Sequence, residues 1–127
     1  MAAASAQAAG RLMRDRDAIA GAVIDALYTE HPEFVEHYGE RGREKCLQDM
    51  RHNIDHLIPA VDMADDAMFA RYVEWLDGLM RAYNVRTADV VRSLELLRDE
   101  CRTRMSDDEG AATAKVIDAG LRVLVPA

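Results

Sequence analysis

Gly42-Arg43-Glu44-Lys45-Cys46-Leu47-Gln48-Asp49, continuing through Met50-Arg51-His52-Asn53-Ile54-Asp55-His56, is the stretch from which the rest of the chain is read. Leu47, Met50, Ile54, Leu57 and Ile58 recur at three- and four-residue spacing, so the segment predicts an amphipathic helix with those side chains on its buried face. At about 100° per residue, Cys46, Asp49, Asn53 and His56 share one flank of that face. A thiol, a carboxylate, an amide and an imidazole therefore line the edge of a core, just behind the cations Arg43 and Lys45. No other stretch carries so much chemistry on one stripe.

Outward from this helix, the neighbouring segments read as further helices. On the N-terminal side, Leu12, Ile19, Ala20, Val23, Ile24 and Leu27 form a helical stripe that Pro32 ends, because proline disfavours helical geometry at His31 and has no N–H to donate. A short helix is expected over Glu33 to Tyr38, with Pro32 in its first turn and Gly39 closing it at positive φ. The Ala-rich start, residues 1–10, is expected as a flexible lead-in, leaving residues 11–127 as the single domain. On the C-terminal side, Pro59 is expected to stop the central helix at about Ile58, and Ala60 to Asp66 to form a loop.

A helix over about Asp66 to Tyr83 follows, with Phe69, Tyr72, Val73, Leu76, Met80 and Tyr83 inward. Thr87 is the expected N-cap of the next helix, buried through Val90, Leu94, Leu97, Cys101 and Met105. Ser106-Asp107-Asp108-Glu109 has capping-box spacing and opens a last helix, buried through Ala114, Ile117, Leu121 and Leu124. No segment alternates with period two. The expected fold is all-α, about five long helices and one short one.

Composition bounds the function. The chain has 127 residues, half of them apolar, the balance of one soluble globular domain. Sixteen basic against twenty-three acidic side chains give a net charge of −7, and the arginines are interspersed with acids, so no basic stripe for nucleic acid exists. Apolar runs are broken by charge, which excludes a membrane helix as a partner of the bilayer. The start lacks the basic and apolar regions of a signal peptide, so a cytoplasmic location is expected, and with it free thiols at Cys46 and Cys101.

Three chemistries fit the central stripe. His52 and His56 are four apart and Asp49 precedes His52 by three, a spacing that can chelate a metal, although the partners a bundle metal site needs from other helices are weakly provided. Cys46 could be a nucleophile activated by Lys45 or a helix N-terminus, but no orienting base, oxyanion hole or phosphate loop accompanies it, and the expectation is that the chain is not an enzyme. The third is a large planar ligand at the helix edge. Arg43 and Lys45 would pair with its carboxylates, Asp49 would accept its N–H groups and Cys46 could attach it, with Tyr38, Tyr72, Trp75 and Tyr83 the aromatics in reach. That donor set has the polarity of a linear tetrapyrrole pocket.

At these residues the chain resembles the phycobiliproteins, and within them the globin-like core shared with bacterial biliverdin-binding alloglobins. Gly42 to Asp49 is similar to the family's Gly-Lys-x-Lys-Cys-x-Arg-Asp chromophore segment. Ile19 to Pro32 is similar to its helix ending Val-Tyr-Gln-Lys-Phe-Pro, and Arg81-Ala82-Tyr83-Asn84-Val85-Arg86-Thr87 to its Arg-Ala-Leu-Gly-Leu-Pro turn. A related helical module stands beside cobalamin-binding domains in bacterial light-responsive proteins.

The resemblance implies a globin-like fold without haem that binds biliverdin or a related linear tetrapyrrole. It implies Cys46 as the thioether site, Asp49 as the acceptor for pyrrole nitrogens, and Arg43 and Lys45 as partners of the propionates. His52 and Asn53 fall where the family has tyrosines beside the chromophore; His56 and Tyr83 complete the candidate site. Gln48 departs from the family's Arg, and Arg51 or His52 is expected to replace it. Little precedes Leu12, so the N-terminal helical pair of antenna subunits is expected to be absent, which favours the simpler alloglobin type with a photosensory or pigment-carrying role. The runner-up is a ligand-free globin-like signalling module that pairs with a second copy through an exposed helix face. A metal-binding bundle comes third.

Overall fold

In a computed structural model, which describes residues 2–125, the chain forms five helices: α1 (Ala2–Glu30), α2 (Glu33–Asp62), α3 (Asp66–Ala82), α4 (Thr87–Arg104) and α5 (Asp107–Leu124). No strand occurs among the described residues. α1 lies along α2 and reaches α4 and α5, while α3 and α4 both pack on α5. The core at their meeting is built from Leu12, Ile19, Ile54, Leu57, Phe69, Leu94, Leu97 and Ile117, all fully buried. Of the expected apolar positions, Ile19, Val23, Leu27, Met50, Val73, Leu76, Val90 and Cys101 are also buried, as the three- and four-residue spacing requires.

Four expectations are corrected. Residues 2–10 are the first turns of α1, not a lead-in: alanine has the best helix propensity, and Ala8 and Ala9 are buried. The expectation of little ordered structure before Leu12 goes with it; Met1 and residues 126–127 of the expected domain lie outside the described residues. Pro59 does not stop α2, which runs on to Asp62 because Ala60 and Val61 are fully buried and outweigh the bond that proline cannot donate. Tyr83 is 71% exposed at the C-terminal end of α3 rather than inward. Thr87 is the first residue of α4 instead of its cap; its hydroxyl donates to the buried Asp77 Oδ1 at 2.8 Å.

The Ser106 capping box forms with both bonds, Glu109 N to Ser106 Oγ at 3.3 Å and Ser106 N to Glu109 Oε1 at 3.4 Å. The short helix is also present, as the first turns of α2 ahead of a kink at Gly39.

Gly39 sits at φ 67, ψ −174, a conformation open essentially to glycine alone. Three residues on, a Cβ at Gly42 would lie 2.3 Å from Tyr38 Cβ. The two glycines thus let the 33–38 turns fold back closely on the start of the central helix. Gly39→Ala is expected to cost about 1–3 kcal/mol, read as a lower thermal midpoint, and an unchanged midpoint would mean that the kink stores no such strain.

Bidentate ion pairs staple the outside, Arg16 to Asp55 across α1 and α2 (2.6 and 2.8 Å) and Arg92 to Glu30 across α4 and α1 (2.8 and 2.7 Å). Being exposed and screened by solvent, they set orientation more than stability.

Candidate ligand site at the kink of α2

The kink delivers the helix that carries Cys46 against the end of α1. Tyr28, in the last turns of α1, is 5% exposed, and its ring packs edge-on against Phe34 at 5.8 Å. Phe34 stacks on His31 at 4.6 Å and meets Tyr38 edge-on at 5.2 Å, an aromatic train that pins the start of α2. Arg43 lies over the Tyr28 ring, 4.7 Å from its centroid, and pairs with Asp25 of α1.

Cys46 is half-buried between these groups and the core. Burial pushes its thiol above the ordinary value; the nearby Tyr28 hydroxyl, Lys45 and Arg43 oppose that shift, and Asp49 adds to it. Burial therefore outweighs the activation by Lys45 that a catalytic reading would need. Lys45 is held by Asp49, Nζ to Oδ1 at 2.6 Å, and Cys46 lies well inside α2. The Tyr28 hydroxyl, pushed up to about 12 by burial and then by Cys46, is near enough to the sulfur to feel its charge yet makes no aligned hydrogen bond to any group. Leaving a buried hydroxyl unpartnered costs about 1–3 kcal/mol, a cost that packing alone does not explain.

Along the same flank of α2, Asp49 keeps a quarter of its side chain exposed, and Asn53 is buried. Asn53 Oδ1 accepts from the Tyr72 hydroxyl at 2.5 Å, joining α2 to α3. Tyr72 is raised by burial first and then by Asp49 and Asp55. Its ring stacks on His56 at 4.1 Å and leads to Trp75 at 5.8 Å, which is 60% exposed.

Beyond Cys46, the turn between α3 and α4 closes the other side. Buried Asp77 fixes that turn through Thr87 and through Arg81 at 3.2 Å, and Asn84 takes φ 64, a left-handed conformation asparagine tolerates. A groove of about 650 Å³ opens there, lined by His37, Tyr38, Asn84, Arg86 and Asp89 among others. Tyr38 spans the distance between this groove and Cys46, within electrostatic reach of Cys46, Arg86 and Asp89. Tyr83 is within electrostatic reach of Lys45.

The structure therefore brings together Arg43, Lys45, Cys46, Asp49, Asn53, His56 and Tyr83 along one side of α2. It does not bring in His52, which is exposed and within reach of Asp55, or Arg51, which pairs with Asp17 of α1 at 3.3 Å. Arg51 is thereby committed to α1, while Gln48 is exposed and has His52 one turn on along its own face. Tyr28, Arg86 and Asp89 were not singled out from spacing. Tyr28 extends the Ile24 position by one turn and so reads as ordinary core, while Arg86 and Asp89 reach the site only through the α3–α4 turn.

Among the described residues, no three His, Cys, Asp or Glu side chains gather as a metal-ligand group, and no helix is long and apolar enough to cross a membrane. A family model described as Phycobilisome protein matches residues 1–124. No curated protein matches the chain.

Proposed function

The chain belongs to the phycobilisome protein family, whose fold is all-α and globin-like, and on that premise we propose that it binds a linear tetrapyrrole, biliverdin, along the flank of α2 that carries Cys46 and Asp49. One observation carries the reading: a thiol and a carboxylate share a helix flank, with the cations Arg43 and Lys45 in the turn before them and both paired with acids. The donor set fits such a group. Arg43 and Lys45 offer charge to propionates, Asp49 is an acceptor for N–H groups, and the orphaned Tyr28 hydroxyl marks a place where a ligand or a charged sulfur would complete the bonding.

When bound, the tetrapyrrole supplies a conjugated system that absorbs red light. The residues supply binding and restraint. Arg43 and Lys45 are already held by Asp25 and Asp49, so ligand carboxylates exchange for internal partners instead of meeting free cations. Exchange at Lys45 frees Asp49 for pyrrole nitrogens. Asn53 and Tyr72, locked to each other, form a rigid floor that limits rotation of the ligand. In this reading the protein is a pigment-binding or photosensory alloglobin-type domain and not a catalyst, working in the cytoplasm and linking the pigment through Cys46.

Mixing the purified protein with biliverdin tests the proposal. A red-shifted, sharpened absorption band is the expected result, and a spectrum that matches free biliverdin overturns it. A second reading, a ligand-free signalling module that pairs with a second copy, draws on the exposed Met63 and Trp75. It expects a stable dimer and no pigment uptake.

A further inference from the structure

The Tyr28 hydroxyl is a donor without a partner, buried at 5% residue exposure beneath Arg43 and close enough to Cys46 to act on its charge. Every cation near that sulfur already has a partner: Lys45 holds Asp49 at 2.6 Å, and Arg43 is paired with Asp25 and spread over the Tyr28 ring. The uncommitted donor at the thiol is therefore the phenol.

We propose that Tyr28 is the positioning residue for alkylation of Cys46, donating its hydroxyl hydrogen to the sulfur as the thiol proton leaves and so aiming the sulfur at an electrophilic alkene. The identity of that alkene, a side chain of the tetrapyrrole, rests on the function proposed above; the action on the thiol does not. In the addition, the sulfur forms a bond to one alkene carbon, and the π pair moves onto the neighbouring carbon, which takes up a proton. The proton lost by the thiol balances the one gained, and nothing is oxidised or reduced. Cation–π contact with Arg43 holds the phenol ring in place, and its edge-on contact with Phe34 fixes its tilt.

The groups that set the thiol's titration are Tyr28 on α1 and Tyr38, Arg43, Lys45 and Asp49 on α2. Tyr83, Arg86 and Asp89, around the α3–α4 turn, act through Lys45 and Tyr38. Tyr28 pulls the thiol down against burial, so its removal moves the thiol further up. At neutral pH the thiolate fraction, and with it the rate of addition, falls.

N-ethylmaleimide, itself an activated alkene, is the probe on the pigment-free protein, with modification at Cys46 followed by mass spectrometry across pH. Cys101 is wholly buried and does not compete. Tyr28→Phe is expected to slow labelling by about tenfold near neutral pH and to move the rate profile to higher pH, with no loss of thermal stability. An identical rate profile in Tyr28→Phe overturns the proposal. If Tyr28→Phe does not fold, difluorotyrosine incorporated at position 28, a stronger donor of nearly the same shape, is expected to speed labelling, and unchanged labelling overturns it equally.

In a parallel arm with biliverdin, Tyr28→Phe is expected to slow the appearance of chain-linked pigment by a similar factor. A wild-type protein that takes up no biliverdin while the maleimide profile shifts defeats the pigment reading and leaves the role of Tyr28 standing. Pigment uptake with an unshifted maleimide profile does the reverse.

Discussion

A Cys46→Ala protein is expected to bind biliverdin in solution and to release all of it when the chain is denatured, so that zinc-enhanced fluorescence on a denaturing gel falls to background. The effect is all-or-none because the chain has only one other thiol, and that one cannot take over. Cys101 is fully buried on α4, and burial pushes it up to about 12, so it is neither reachable nor nucleophilic near neutral pH. The substitution does not threaten the fold. Cys46 sits at the edge of the core, half-buried, and trimming one atom there costs on the order of 1 kcal/mol. Every non-covalent group survives it: the Arg43–Asp25 and Lys45–Asp49 pairs, the Asn53–Tyr72 floor and the exposed aromatics. Pigment that still runs with the denatured Cys46→Ala chain would place the bond on another nucleophile and remove Cys46 from its role.

The helices could be read from the chain because burial at three- and four-residue spacing is a local property, and the buried stripes of α1, α3, α4 and α5 follow it closely. Gly39 was legible for the same reason, since a short helix boxed between Pro32 and glycine leaves the chain one way to turn. What could not be read was whatever depends on a second element. Pro59 looks like a stop until Ala60 and Val61 find the core, and the tertiary gain then outweighs the local penalty.

The same limit applies to the candidate site. Cys46, Asp49, Asn53 and His56 lie on one helix, so their common flank is fixed by geometry alone. Tyr28 belongs to another helix and differs from a core tyrosine only in the orphaned hydroxyl that its partner helix leaves it. Arg51, conversely, shares a helix face with Gln48, and only the packing of α1 on α2 shows that Asp17 already holds it. The pairing of both site cations with acids was likewise invisible, because Asp25 meets Arg43 only after the kink folds α2 onto α1.

Asp49→Ala is the variant expected to weaken pigment binding most. A carboxylate that accepts from N–H groups in a partly dry site contributes about 1.5–3 kcal/mol, which is roughly a 10- to 100-fold rise in Kd. The optical effect is expected to be larger than the thermodynamic one: the negative charge beside the pyrrole nitrogens favours their fully protonated form, so its loss shifts the red band to shorter wavelength and lowers it. Lys45 complicates the reading, because removing Asp49 also frees an ammonium whose present partner is that carboxylate at 2.6 Å. Lys45→Gln separates the two effects. It removes the internal competitor for Asp49 along with one propionate partner, so it is expected to weaken binding while keeping the red band in place. If absorption spectra of pigment-saturated protein show the band moving equally in both variants, Asp49 acts only by restraining Lys45. If Asp49→Ala keeps the wild-type spectrum at saturation, the carboxylate does not contact the pyrrole nitrogens, and the acceptor must be sought on the other wall, where Asp89 of α4 lines the neighbouring groove.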